Sequence, residues 1–381
     1  MQELELRELP PRVLSVLVGR GADFATAEDA VQEALLRALS AWKDESPSDP
    51  QGWLITVAWR AFLDTARSDA ARHDREVRFD SEPQLGAVPS GDDTLHLYFL
   101  CAHPDLTSSS AVALTLRAVG GLTTRQIAQA YLVPESTMAQ RISRAKRIVG
   151  RSGLDRLGDV RTVMRVLYLV FNEGYSGDVD LAAEAIRLTR HLAALVDVPE
   201  VDGLLALMLL HHGRRRSRTG PDGRIVPLAE QDRSQWDTEL ISEGIAILHA
   251  ALARDQVEEY QAQAAIAALH ADAPCVEETD WGQIVEWYDE LLRCADTPIV
   301  RLNRVVAIGE AEGARAGLAA LAEVEEHIPR RDAVAAYLHE KNGDLELAAH
   351  LYADASRNAP NLAERDHQMR QAARLNQLLR H

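Results

Sequence analysis

The sequence predicts an all-α protein of several domains, and three observations predict it. Apolar residues recur at helical spacing through nearly the whole chain, and no run shows the alternation of a half-buried strand. The composition leans on Ala, Leu, Arg and Glu, all good helix formers. The 381 residues exceed one ordinary core, and with aromatics at 5% the cores must be largely aliphatic.

Taken in order, residues 28–42 place Val31, Ala34, Leu35, Ala38, Leu39 and Trp42 on one helical stripe. Residues 53–66 repeat the pattern with Leu54, Val57, Ala58, Ala61, Phe62 and Thr65, so the two amphipathic helices should pack on one another. Residues 79–93, FDSEPQLGAVPSGDD, combine Pro, Gly and acid without an apolar stripe and read as an acidic, flexible linker. A second helical unit runs from Thr94 to Arg151, where Thr123 with Gln126 forms a capping-box pair and Pro134-Glu135 a first helical turn. Residues 124–132 and 135–149 are then two helices joined by a short turn.

From Leu154 onward the helical pattern continues to the end. Thr297-Pro298 mark a start, Gly343-Asp344 a stop and restart, and Asn361 with Glu364 another capping box. Small residues Ala348, Ala349 and Ala355 around Tyr352 suggest stacked helical hairpins. The polar stretch 213–233 interrupts this pattern with a turn at Asp222-Gly223, and 218–228 is the one place for a short hairpin. His211-His212 should end a helix and hydrogen-bond its last carbonyls.

The net charge of −17 is unevenly spread. Residues 1–151 hold 17 basic against 20 acidic side chains, and the remainder 24 against 38. Within the first part, residues 117–151 carry seven basic residues opposed only by Glu135. A polyanion is attracted to that segment and repelled by most of the rest. No apolar run reaches membrane-span length and the N-terminus lacks a signal-peptide layout, so a cytoplasmic protein with no membrane partner is expected. Cys101, Cys275 and Cys294 lack metal-ligand spacing and read as buried free thiols. Asn172, Glu173, Tyr175, His211, His212 and Asp232 are polar enough to build a pocket. HExxH, GxSxG and phosphate-loop motifs are absent, so the expectation is no catalytic residue, metal or cofactor.

Residues 124–149 have the layout of a helix-turn-helix. The second helix buries Met138, Ile142, Ala145 and Val149, and leaves Ser136, Gln140, Ser143, Arg144 and Arg147 opposite, with Arg141 and Lys146 flanking. A recognition helix needs this division, with one face packed and polar side chains free for base edges and phosphates. A plain two-helix corner with a solvated basic face has the same pattern. The local positive charge favours DNA.

The segment LTTRQIAQAYLVPESTMAQRISRAKRIV resembles the second conserved domain of extracytoplasmic-function (ECF) sigma factors, which reads the upstream promoter element. Ile127-Ala128, Thr137-Met138, Arg141 and Arg144-Ala145 carry that resemblance, while Ala139 departs from the usual basic or polar residue. It implies upstream-element contacts by Ser136, Thr137, Gln140, Arg141, Ser143, Arg144, Lys146 and Arg147. AEDAVQEALLRAL resembles the helix with which these factors grip the polymerase clamp helices, which implies polymerase binding by Asp29, Gln32 and Glu33.

QGWLITVAWRAFLDTARSDAARHDRE resembles the helices that melt and read the downstream element, through Trp53-Leu54, Ala58, Asp64 and Arg67. Arg60 stands where Asn is usual and Ser68 where a second Arg is usual. The implied downstream contacts are Trp59, Arg60, Asp64 and Arg67, although Trp59 also fits a core role. In that family the linker threads the polymerase interior, a role for Asp80, Glu82, Asp92 and Asp93.

The resemblance implies region 2 at 1–78, the linker at 79–93, region 4 at 94–153 and a helical extension at 154–381. LYLVFNEGYS, HHGRRRSRTGPDGRIVPLAEQDRSQW and PIVRLNRVVAIGE resemble the tetratricopeptide-like extension of one long ECF group. Such a stack implies regulation through a protein or peptide partner, beside core RNA polymerase and promoter DNA. Two other readings stay open at this point: a DNA-binding repressor or activator whose acidic half senses a ligand, and a helical enzyme or scaffold.

Overall fold

A computed structural model describes residues 3–42, 47–72, 92–131, 133–152, 157–173, 175–176, 179–218, 220, 226–325, 327–359 and 362–380. The chain divides into two compact units, Met1–Asp197 and Val198–His381. Among the described residues it is all-α apart from a two-stranded ribbon of four residues.

In the first unit, α1 (Glu3–Gly19), α2 (Phe24–Ala41) and α3 (Pro50–Arg72) pack on each other. Asp23 starts α2 by accepting the Thr26 N–H at 3.0 Å. The core here is Val13, Leu14, Leu17, Val31, Ala34, Leu54 and Ala58. Next come α4 (Asp92–Cys101), α5 (Ser108–Ala118), α6 (Thr124–Ala130) and α7 (Glu135–Ser152). Asp92 and Asp93, expected in the linker, belong to the first turn of α4, while residues 79–91 lie outside the described residues. The Thr123–Gln126 capping box opens α6 as the sequence predicts.

The first unit continues past residue 153. Helix α8 (Val160–Glu173), the antiparallel ribbon β1 (Tyr175–Ser176) and β2 (Val179–Asp180), and α9 (Leu181–Leu195) complete it. Helix α8 packs on α4 and α5, and α9 on α4. Tyr98, fully buried on α4, donates its hydroxyl to the Leu188 carbonyl at 2.9 Å. Burial of Leu97 and Tyr98 in this region stabilises by roughly 1.5–3 kcal/mol per side chain.

In the second unit, α10 (Pro199–Gly213) packs on α11 (Thr238–Leu252) and α12 (Glu259–Asp272). Gly203 lets α10 approach α12, since a Cβ there would stand 2.8 Å from the Gln261 backbone nitrogen. Glu200 reaches across from α10 to accept the Tyr260 N–H at 2.6 Å and the Gln261 N–H at 3.3 Å, capping α12. Burial pushes its carboxyl up to about 7 despite those hydrogen bonds.

Then α13 (Trp281–Cys294), α14 (Pro298–Ala311), α15 (Ala314–Leu321), α16 (Arg331–Lys341), α17 (Leu345–Arg357) and α18 (Leu362–Leu378) follow as a row in which neighbours pack on neighbours. Three apolar layers run along it, around Ile284 and Leu291, then Leu302 and Leu338, then Tyr352 and Leu375. This is the expected stack of hairpins. Thr297 accepts the Val300 N–H with Pro298 in the first turn, and Gly343 takes φ +88° between α16 and α17. Asn361 lies outside the described residues, and Glu364 pairs with Arg330.

Some expectations are corrected. Only Cys101 is a buried thiol; Cys275 is half-buried and Cys294 exposed. His211 and His212 do lie in the last turn of α10, but the His211 Nδ1 lies 3.0 Å from Arg214 Nη2 rather than on a carbonyl. Of the proposed hairpin at 218–228, residues 219 and 221–225 lie outside the described residues, and Val226 N–H donates to the Arg218 carbonyl at 2.9 Å.

Candidate nucleic-acid interface

Helix α7 begins after Pro134, whose carbonyl accepts the Met138 N–H at 3.1 Å. Met138, Ile142, Ala145 and Val149 are buried, anchoring α7 on α5 and α6. Ser136, Thr137, Gln140, Ser143, Arg144 and Arg147 are exposed, and Arg141 and Lys146 half-buried. The outward face is polar and cationic, with Glu135 at its start. Such a face can donate to phosphates and base edges.

Helix α7 also touches α2. Glu28 of α2, with its side chain 2% exposed, holds Arg117 Nε at 2.8 Å on one oxygen and Lys146 Nζ on the other. Lys146 Nζ lies 2.9 Å from Asp29 as well, and Arg117 donates through Nη1 to the Leu122 carbonyl at 3.0 Å. Two cations and two carboxylates therefore balance. A buried carboxylate needs that balance, because desolvation penalises an unpaired charge heavily. Asp29, expected on polymerase, and Lys146, expected on DNA, are here each other's partner.

Elsewhere on α2, Gln32 is half-buried and Glu33 is exposed and paired with Arg37. The sequence stripe put Leu39 inside. Instead α2 turns Val31, Ala34 and Ala38 inward, and Leu36 and Leu39 stand 66% and 64% exposed. With Gln32 they share one helix face at i, i+4 and i+7. Sequence reasoning missed this apolar edge because Leu35, Leu36 and Leu39 fit more than one helical stripe.

On α3, Arg60, Asp64 and Arg67 are exposed. Arg67 Nη1 lies 4.0 Å from Asp64 Oδ1, a loose surface pair that holds neither residue firmly. Trp59 is half-buried: the Arg20 guanidinium sits 5.6 Å from its ring centroid and Phe62 packs at 5.4 Å. Its indole N–H is buried without a hydrogen-bond partner. Among the described residues, no three His, Cys, Asp or Glu side chains group as a metal site, and no helix is long and apolar enough to cross a membrane.

The candidate pocket residues fall in different units, with Asn172, Glu173 and Tyr175 in the first and His211, His212 and Asp232 in the second.

Comparison with known proteins divides the chain differently, with one match running across the boundary between the units. Residues 6–72 match the model for Sigma-70 region 2, residues 96–149 that for Sigma-70 region 4, and residues 159–252 a family of unknown function, DUF6596. An uncharacterized protein of Rhizobium meliloti, R00370, is 39% identical over 357 residues, covering 86% of this chain and 84% of that protein. The probable ECF RNA polymerase sigma factor SigI of Mycobacterium tuberculosis is 31% identical over 175 residues, 43% of this chain and 59% of SigI. The ECF RNA polymerase sigma factor SigJ of the same species is 26% identical over 219 residues, 49% of this chain and 69% of SigJ. No solved structure gives a significant match. The two sigma regions in their order, together with the SigI and SigJ homologues, establish that the chain belongs to the ECF sigma factors of RNA polymerase, which direct promoter-specific transcription initiation, and that it carries a C-terminal extension.

Proposed function

We propose that this sigma factor reads its upstream element through Ser136, Thr137, Gln140, Arg141, Ser143, Arg144 and Arg147, and that its free form is held closed by the Glu28 cluster. The exposed polar face of α7 over a buried apolar one is the observation that carries the first part. Downstream-element contacts fall to Arg60, Asp64 and Arg67, with Trp59 available once Arg20 releases its ring. Polymerase binding falls to Gln32 and Glu33, joined by Leu36 and Leu39, and to Asp29 once Lys146 lets go.

The closed form follows from chemistry. A sigma factor must present α2 to polymerase and α7 to DNA together, while Glu28 and Asp29 tie the two helices through Lys146. Binding to polymerase, in the cytoplasm, separates them and frees Lys146 for a phosphate. The extension completes the activity: α8 and α9 pack on α4, so a chain ending at 153 would expose Tyr98, which is buried against α9. The helical row beyond suits a protein or peptide regulator.

The test is in vitro transcription with core polymerase and a genomic fragment library, using the full chain, residues 1–197 and residues 1–153. The full chain should initiate at defined promoters and residues 1–153 should initiate little. Equal transcription by folded forms of all three would refute a role for the extension. Tight sequence-specific DNA binding by the lone full-length protein would favour a repressor.

A further inference from the structure

Where α10 ends, the chain builds a cationic cluster in which, among the described residues, no carboxylate pairs with the buried Arg214. Arg214 follows Gly213 directly and is 7% exposed. Its Nη2 lies 3.0 Å from His211 Nδ1, while its buried Nε and Nη1 have no hydrogen-bond partner. The guanidinium is 5.8 Å from the ring centroid of Trp236, itself 7% exposed. Arg233 sits 4.5 Å from the same ring and donates to the carbonyls of His270 (2.9 Å) and Ala273 (2.5 Å). Trp236 is fixed by its indole N–H, which donates to Ser217 Oγ at 2.7 Å.

The charges felt by Arg214 are those of Arg218 and Arg233, both of its own sign. Burial and these neighbours lower its pKa to about 10. Burial and Arg214 likewise hold His211 down to about 3 and His270 down to about 4, so both rings stay neutral. Neutral His211 accepts from Arg214 through Nδ1 and keeps its proton on Nε2. The nearby acids are engaged elsewhere: Asp232 accepts from Ser234 and Gln235, and Asp237 caps α11. Glu277, which feels Arg233, is exposed to solvent.

A guanidinium this buried with unsatisfied N–H groups is destabilising unless an acceptor arrives. We propose that Arg214, with Arg218 and Arg233 beside it and Trp236 as its packing wall, binds a small oxyanion, the carboxylate or phosphate group of a soluble ligand. Arg214 supplies buried donors at Nε and Nη1, and Arg218, which is exposed, supplies attraction at the entrance. The inference concerns the second unit alone, and its test needs neither polymerase nor promoter.

Thermal unfolding of the full-length protein is measured at fixed ionic strength in chloride, then with inorganic phosphate or malonate replacing chloride. The wild type should rise by several degrees with at least one oxyanion, and the arm that shifts it tells phosphate from carboxylate. Arg214→Met should abolish that rise while matching or exceeding the wild-type midpoint in chloride, because it deletes an uncompensated charge. Arg218→Gln, a surface change that should fold normally, should need several-fold more of the same anion. No oxyanion shift in the wild type, or an equal shift in the wild type and both variants, overturns the site. A drop in the chloride midpoint on Asp222→Asn that vanishes in the Arg214→Met background also overturns it, since the counter-ion would then be the chain's own loop.

Discussion

The two units each bury charge next to a helix end or helix face, and they do so in opposite ways. In the first, Glu28 and Asp29 meet Arg117 and Lys146, so two acids offset two bases. In the second, Arg214 meets, among the described residues, a neutral histidine, an aromatic ring and further arginines. A balanced cluster joins two surfaces and can be undone by separating them, since every member regains water when it opens. An unbalanced one cannot relax that way without unfolding, and therefore calls for something from outside. The same residue types, buried to a similar depth, thus point to a latch in one unit and to a binding site in the other.

The balance of the first cluster is broken most severely by Glu28→Gln, which leaves Arg117 and Lys146 facing each other across a neutral amide. Removing one partner of a buried pair costs about 3–5 kcal/mol. The closed contact should be lost, and hydrogen exchange should speed up at α2 and α7 together while α10–α12 stay unchanged. Unaltered exchange at α7 would show that Glu28 does not hold it.

A smaller effect sharpens the role of Lys146. If about three basic residues of α7 neutralise phosphates, DNA binding by a 92–197 fragment, which keeps α8 and α9 on α4, should fall with salt at a log–log slope of roughly −3. That amounts to about 60-fold between 50 and 200 mM salt. Lys146→Met should flatten the slope by about one in the fragment and leave it unchanged in the closed full-length chain, where Lys146 is held by Glu28 and Asp29.

The unbalanced cluster is probed by acid. His211 and His270 have folded pKa values of about 3 and 4 against 6.5 unfolded, so the unfolded chain binds more protons. Stability from them is complete above about pH 6.5 and is lost as pH falls. Glu200 runs the other way, its pKa raised from 4.5 to about 7, and so favours the folded state as pH falls. Two histidines outweigh one glutamate, and the second unit should lose on the order of 2 kcal/mol between pH 6.5 and 4.5. Denaturation followed by hydrogen exchange of α10–α12 measures this; a flat or rising profile toward pH 4.5 would contradict the neutral-histidine arrangement.

The smallest effect on stability should come from Leu36→Ser with Leu39→Ser, about 0.5 kcal/mol or less, because both side chains already face water. Pull-down with core polymerase should nevertheless weaken. Unchanged capture would confine the polymerase surface to the polar residues of α2.

What the sequence disclosed and what it hid divide along physical lines. The Met138, Ile142, Ala145 and Val149 face of α7 was legible because helical periodicity is local, as were the caps at Thr123 and Thr297. The pairing of Glu28 with Lys146 spans 118 positions, and no local pattern encodes it. The docking of α8 and α9 on region 4 was hidden for the same reason: Tyr98 and Leu188 meet across 90 positions. Leu39 was misplaced because amphipathic stripes blur when small alanines can take the inside. For Arg214, the run Arg214-Arg215-Arg216 was visible, but only tertiary packing distinguishes the buried arginine from exposed Arg216.

Glu28 has a consequence for how this sequence can change over time. One carboxylate answers to two cations on two other helices, so Arg117 and Lys146 cannot each drift independently of position 28. Losing the acid strands Arg117 and leaves Lys146 with Asp29 alone, whereas losing either base still leaves the acid partnered. Position 28 should therefore be the slowest of the three to vary, and a lineage in which it turned neutral should also have neutralised 117, a two-site signature that an alignment of relatives can read directly.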